Sequence, residues 1–383
     1  MKRPRDVRLD FFRGLGMFII FIAHIPQNPW NDWIPARFGF SDATEIFVFC
    51  SGMASAIAFG TVFEQRGFLM GLARILHRCW QVYWTHIGLF ISAVAMMAGF
   101  DKLLGTGSTF VHSVNFGHFL EKETASGFFG LLTLTYVPNL FDILPMYLVM
   151  LAMIPVMMAL SRVGHWAPIA FSVALWLVGT AGYLQFPAEP WSNRPWFFHP
   201  LAWQLVFFAG FAFIRGWIPS PPIDRRLVTL CSAVLIVSAL LTTSLGSMIG
   251  IPHAWAFLPP ALMEKGTFGA LRFVHFLSLA YLAYAAAGPR GERLKGPIVN
   301  VCRKVGQQAL AVFAGGILLS LASSVVLHET GRGALPLLAV HLVSFACLVA
   351  IAYVVAWFKS TPWKTHARRI PTQLDNRSFP STN

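Results

Sequence analysis

Charge is what this sequence has least of. Only 12% of its 383 residues are Asp, Glu, Lys or Arg, while 56% are hydrophobic; a soluble globular chain carries roughly 25% charged residues. The shortage excludes a soluble enzyme and leaves no extended segment for a separate soluble domain. The five cysteines (Cys50, Cys79, Cys231, Cys302 and Cys347) are odd in number and unpaired in spacing, so they form neither a disulfide framework nor a zinc motif. The chain has no phosphate-binding GxxxxGK loop, no GxSxG elbow and no histidine pair at i, i+4 with a glutamate between, which removes the common nucleotide, serine-nucleophile and metal signatures. No repeat of 20–50 residues stands out. The first apolar run lacks a small-residue cleavage site and is interrupted by Arg13, so it reads as a retained helix and not a signal peptide.

What is present is a succession of apolar runs. They predict an all-α polytopic membrane protein with about ten transmembrane helices, at roughly 9–26, 42–62, 79–100, 139–160, 167–184, 198–214, 227–247, 270–288, 307–327 and 335–358. A membrane domain then occupies residues 1–358, and a basic tail rich in Ser, Thr, Asn and Pro, 359–383, is expected to be disordered. The formal charge of +13 lies in short loops between spans, which is a topology signal and not a nucleic-acid footprint. With both termini inside, 22 of the 29 Lys and Arg residues fall on the inner side and seven on the outer. This predicts cytoplasmic termini, with Arg13 near the cytoplasm and His24 near the outer face.

The chain is organised around residues 8–52. The run RLDFFRGLGMFIIFIAHIP carries Asp10, Arg13 and His24, and FGFSDATEIFVFCSG carries Asp42 and Glu45. Ionisable groups within a membrane are costly and are functional candidates by default. Arg13 and His24 are eleven residues apart, about three turns, so they share a helix face about 16 Å apart along the axis. Asp10 lies close to the same stripe. Two readings stay open on spacing alone: interfacial anchors with a satisfied buried histidine, or a polar path through the bilayer. Asp42 and Glu45 sit on the first turn of the second span, where the helix dipole favours carboxylates. Capping by Ser41 or Asp42 accounts for one of them. Gly52, Ala56 and Gly60 at i, i+4, i+8 suit close helix packing.

Further along, Arg74, Arg78, Gln81 and Thr85 fall on one face at the start of the third span. They suit either positive-inside anchoring or a cytoplasmic phosphate site. The outer loop 101–128, with His112, His118, Glu121, Lys122 and Glu123, is polar enough for a lid or an acceptor surface. Asp142 stands in an apolar run before Pro145, as an interfacial helix start or a cavity lining. The outer loop 185–200 is rich in Pro and Trp, which suits an aromatic belt and also sugar faces. Gln204 lies in the sixth span, Arg272 and His275 open the eighth, and GQQALAVF opens the ninth. A polar site at both surfaces of a helix bundle fits transfer from a cytoplasmic anionic donor to an outside acceptor, and it equally fits a transporter or flippase. The absence of paired halves with broken helices counts against the transporter.

The blocks RLDFFRGLGMFIIFIAHI, FGFSDATEIFVFCSG, NLFDILPMYLV, FFHPLAWQLVFFAGF, LRFVHFLSLAYL and GQQALAVF resemble the motifs of the OpgC family, which succinylates osmoregulated periplasmic glucans. That family is in turn similar to the membrane acyltransferase-3 superfamily, whose arginine and histidine separated by ten residues match Arg13 and His24. An inner-loop arginine pair resembles Arg74 and Arg78, with one more residue between them. His199 stands where a more polar, asparagine-like residue is expected.

The resemblance implies O-succinyl or O-acetyl transfer at a bacterial inner membrane, from cytoplasmic acyl-CoA, succinyl-CoA first, to a hydroxyl of a periplasmic glucan or related envelope glycan. It implies no bound cofactor, no metal and no nucleic acid, and it leaves a homo-oligomer open. His24 would be the general base, with Asp42 or Glu45 orienting it. Arg13, Arg74, Arg78 and Gln81 would hold the donor, and Asp10, Asp142, Gln204, Arg272 and His275 would complete the polar site. Arg272 and His275 would meet the thioester oxygen or a succinyl carboxylate. No acyl-enzyme nucleophile is required.

Overall fold

In the computed structural model, which describes residues 6–138 and 140–363, each of the ten apolar segments contains a helix. We number the principal helices α1 (Val7–His24), α2 (Ala43–Ser55), α3 (Phe68–Leu104), α4 (Ile143–Leu160), α5 (Trp166–Thr180), α6 (Pro200–Arg215), α7 (Arg225–Thr242), α8 (Ala270–Ala287), α9 (Pro297–Gln307), α10 (Ala309–Thr330) and α11 (Ala334–Lys359). Among the described residues there is no β-strand, only an isolated bridge between Pro187 and Pro195. Among the described residues seven helices are long and apolar enough to cross a membrane: α2 with its extension to Gln65, α3, α4, α7, α8, α10 and α11. α1 carries Arg8, Asp10 and Arg13 within its 18 residues, and α5 and α6 have 15 and 16 residues.

The distribution of side chains is that of a multi-pass membrane protein. Asp10, Asp42, Glu45, His86, Asp142, Gln204, Arg272, His275 and His341 are buried. Leu230, Ile236, Val237, Leu342, Val343 and Val354 are exposed. Polar groups inside and apolar groups outside suit hydrocarbon as the surrounding solvent.

α1 is central, packed on α2, α9 and α10, while α6 joins α2 to α5 and α10 joins α3 to α11. Gly52 of the small-residue stripe serves close packing: a Cβ there would overlap the carbonyl oxygen of Phe207, and one on Gly210 opposite would overlap that of Phe49. The backbones of α2 and α6 therefore touch, as small residues permit. The stripe ends in a π-turn over Ala56–Gly60, after which Thr61–Gln65 resumes as α-helix and Glu64 pairs with Arg215.

Three elements differ from expectation. The third span begins at Phe68, not near residue 79, and runs 37 residues to Leu104, about 55 Å at 1.5 Å per residue. Nothing between its bounding glycines breaks a helix, and Gly67 (φ 84°) and Gly105 (φ 68°) adopt backbone that other residues rarely hold. Arg74 and Arg78 thus stand on a helix and not in a loop. The ninth span is preceded by the separate amphipathic α9, bounded by Gly296–Pro297 and by the non-helical Gln308. The loop 101–128 is folded: Asp101 accepts from the Thr106 hydroxyl (2.6 Å) and the Phe110 and Val111 N–H groups (both 2.9 Å), and three short helices follow, the last being Thr124–Thr133. Phe90 holds this loop through Phe116, Phe119, Tyr136 and Phe141, with ring centroids 5.3–5.6 Å away.

α1 and α11 bring both ends of the described chain to one end of the bundle. Gln307 Nε2 donates to Asp10 (3.2 Å), and Lys359 donates to Gln308 (2.7 Å). Of the expected tail, residues 364–383 lie outside the described residues.

Candidate functional site

α2 begins where Asp42 caps it. The Asp42 carboxylate accepts from the Thr44 N–H (2.7 Å), and Glu45 Oε2 accepts from the Asp42 N–H (2.8 Å). This reciprocal capping box explains why two carboxylates stand three residues apart at a helix start. Each also has a second task. Asp42 Oδ2 accepts from Lys265 Nζ at 2.5 Å. Glu45 Oε1, fully buried, accepts from Arg272 Nε at 2.8 Å, and Arg272 Nη2 lies 2.6 Å from the same oxygen and 3.7 Å from Asp42 Oδ2. Lys265, Asp42, Arg272 and Glu45 form one chain of alternating charge joining α2 to the start of α8.

One turn along α8, His275 Nδ1 lies 2.7 Å from Ser41 Oγ and accepts from the Ser41 N–H at 3.3 Å. Accepting at Nδ1 puts the ring proton on Nε2. That atom abuts Gly39, where a Cβ would overlap the ring, so the glycine of FGFSD is the space His275 occupies. His24 ends α1 just before Pro26, and its ring is half-buried. It contacts the Ile20 carbonyl, and the charges of Lys265 and Asp42 act on it. Among the described residues no hydrogen bond joins His24 to Asp42 or Glu45; both carboxylates are engaged by Lys265 and Arg272. Asp142 is buried just before α4 and within the electrostatic reach of Lys265 and Arg194.

The opposite end of α1 has another character. Arg13 is half-buried, and its Nε has no hydrogen-bond partner. Tyr147, Cys50, Asp10 and Arg78 are the groups acting on it. Arg13 thus has one buried carboxylate, Asp10, and a second guanidinium, Arg78, within electrostatic reach. Arg78 also donates to Gln81 Oε1 (3.2 Å), and the Gln81 amide lies 3.0 Å from His77 Nε2.

The fold therefore gathers His24, Asp42, Glu45, Asp142, Arg272 and His275 at one end, and Asp10, Arg13 and Arg78 at the other. Arg74 and Gln81 are exposed on α3. Gln204 is buried and pins α6 to α5: Ser172 Oγ donates to its Oε1 and its Nε2 donates to the Ser172 carbonyl, both at 2.7 Å. His199, buried at the head of α6, has no hydrogen-bond partner on either ring nitrogen. Lys265 was visible in the sequence only as an outer-loop cation, and Tyr147 had no signal beyond being a tyrosine in an apolar run. Among the described residues no group of His, Cys, Asp and Glu is arranged to hold a metal ion.

The sequence profile of the OpgC protein family matches residues 5–360, nearly the whole chain and all of the bundle just described. The chain belongs to the OpgC family. No curated protein and no solved structure matches it. OpgC membership is consistent with an acyltransferase-type function, and the paired and unpaired charges above are the chemistry this OpgC family member has available for it.

Proposed function

We propose that this protein is a membrane O-acyltransferase that moves an acyl group, succinyl in the first place, from a CoA thioester to a hydroxyl of a periplasmic glucan or related envelope glycan. The observation that carries the reading is the make-up of α1. One helix presents a half-buried arginine with an unpartnered Nε beside a second arginine at one end, and a half-buried histidine beside a Lys–Asp pair at the other. An unpaired guanidinium calls for an anion, and its fork suits phosphate. Arg13 and Arg78 would take the CoA phosphates on the cytoplasmic side of the inner membrane. The extended pantetheine arm would then carry the thioester toward His24.

At that end the Ile20 contact engages one ring nitrogen of His24 and leaves the lone pair of the other to act as base. The acceptor hydroxyl gives its proton to His24 as its oxygen attacks the thioester carbonyl. The tetrahedral adduct collapses by breaking the carbon–sulfur bond, and the departing thiolate takes a proton from the imidazolium. Lys265, partly exposed and held by Asp42, is placed to favour the oxyanion. Arg272, locked to Glu45, and His275, locked to Ser41, give this end a fixed electrostatic frame, and preorganised charge of this kind is a large part of catalysis. The family membership supports the reaction class.

The test compares envelope glycans from a deletion strain expressing the wild-type protein with those from one expressing His24→Ala at equal membrane levels. Mass spectrometry should find the acyl increment only with wild type, at least about a hundredfold above the variant, the range for loss of a general base. Glycans of equal mass in the two strains would remove His24 from the reaction. No increment in either strain would move the transporter reading forward.

A further inference from the structure

A cavity of about 470 Å³ lies outside the helix bundle. Its size falls within the roughly 300–1,000 Å³ of ligand clefts. The folded loop 101–128, the 136–138 segment and the loop 185–200 enclose it, and Tyr136, His118, Trp191, Glu121, Glu189 and Arg194 are in its wall. It adjoins the His24 end. Arg194 Nη2 donates to the Val137 carbonyl (3.1 Å), and Arg194 and Lys265 both act on Asp142, five residues further on.

Two features mark it as built for a ligand. Tyr136 is only 1% exposed, yet its hydroxyl has no hydrogen-bond partner. His118 Nε2 is likewise buried and unpartnered. A buried polar group without a partner is destabilising by about 1–3 kcal/mol and is uncommon in native proteins. Burial, and then the charge of Glu189, push the Tyr136 phenol up, so it keeps its proton and offers a donor. Around these atoms the wall is aromatic. The Trp191 ring lies 4.5 Å from His118 and 4.9 Å from Tyr136. The rim is charged but balanced: Glu121 pairs with His112 at 3.1 Å and Glu189 with Arg194 at 3.2 Å.

We propose that this cavity binds the neutral saccharide acceptor and delivers its hydroxyl to the His24 end, an inference that rests on the acyltransferase reading. Aromatic rings take the apolar C–H faces of a pyranose, carboxylates accept from its hydroxyls, and Tyr136 and His118 complete their bonding on its oxygens. The wall's charged residues, Glu121 and Glu189 against Lys122 and Arg194, sum to zero with the histidines neutral, so the cavity has no net preference for an anion.

The experiment uses the full chain in nanodiscs, with a linear neutral β-glucan oligosaccharide as probe. Binding is read by tryptophan fluorescence, and acceptor KM by acyl transfer. Tyr136→Phe removes only the unpartnered hydroxyl, and Glu121→Gln changes an exposed side chain. Each should weaken glucan binding and raise acceptor KM about tenfold, leaving donor KM in place; Tyr136→Phe should hold or raise Tm, because it removes a buried hydroxyl without a partner. A purely structural Tyr136 would leave binding and acceptor KM as they were. His24→Ala should bind glucan like wild type while transferring nothing. If both cavity variants bind and turn over glucan normally, or if the wild-type protein binds no neutral glucan, the proposal is overturned, and the acyl-transfer reading is judged separately by the acyl increment. Tyr136-dependent binding with no acyl increment on any glycan would instead keep the saccharide site and remove the transferase.

Discussion

The two ends of α1 differ in how completely their charges are satisfied. At the His24 end, Asp42, Glu45, Lys265 and Arg272 are mutually paired, and His275 is tied to Ser41. At the Arg13 end, Asp10 and Arg78 act on a guanidinium that makes no ion pair among the described residues. Each end has a buried guanidinium nitrogen without a hydrogen bond among the described residues, Arg272 Nη2 and Arg13 Nε, but Arg272 is ion-paired with Glu45 and Arg13 is not. Ion pairs of that kind hold geometry in the absence of ligand, whereas the Arg13 guanidinium leaves a place for an anion. On the proposed reading the first end is the scaffold for the chemistry and the second the donor site.

The sharpest way to break the comparison is at the paired end. Arg272→Met leaves the fully buried Glu45 without its cation, and stranding one partner of a buried pair is destabilising by about 3–5 kcal/mol. Thermal unfolding in detergent should show a large fall in Tm. Adding Glu45→Gln should recover much of it, because the stranded charge is gone; no recovery would mean that the pair is not what holds α8 to α2. The Arg13 end should behave in the opposite way. Arg13→Gln removes a cation that the resting protein does not pair, so Tm should hold or rise. Acyl-CoA KM should rise about ten- to a hundredfold, the range for a charge-assisted contact of about 1.5–3 kcal/mol. An unchanged KM would place the donor elsewhere. The smallest effect belongs to Arg74→Gln. This side chain is exposed on α3, so donor KM should move less than about threefold and only at low salt, where exposed charges act over longer distances. A change as large as that of Arg13 would bring Arg74 into the site.

How much of this the sequence revealed depends on the range of the interaction. Arg13 and His24 on one face, a cap of α2 by Ser41 or Asp42, and the close packing at Gly52 are set by residues within a few turns, and local patterns expose them; that Glu45 completes a reciprocal capping box was missed, although its place three residues after Asp42 is the signature of one. Lys265 and Arg272, which engage those carboxylates, are more than 220 residues away, and no local pattern names a partner at that distance. The same holds for Gln204, a polar residue in an apolar span that reads as a site candidate until Ser172 is seen to satisfy it on both sides. The length of α3 was missed because hydropathy follows the lipid-facing stretch, whereas the helix, free of proline, runs on through Gly71, Gly88 and Gly99 until the positive-φ glycines at its two ends. The loop cavity was visible only as a polar segment and an aromatic one, and the fold of 101–133 is what places them face to face.

The π-turn at Ala56–Gly60 has a consequence for how this span tolerates change in length. A π-turn is one residue more than an α-helix needs over the same rise. Deleting a single residue there would restore regular winding and leave the residues beyond it close to their places. Asp42 and Glu45, upstream, and Glu64 with its partner Arg215, downstream, would both stay in phase. The joint is therefore where this span absorbs a one-residue change of length, whereas the same deletion in its regular turns would swing everything beyond it by about 100°.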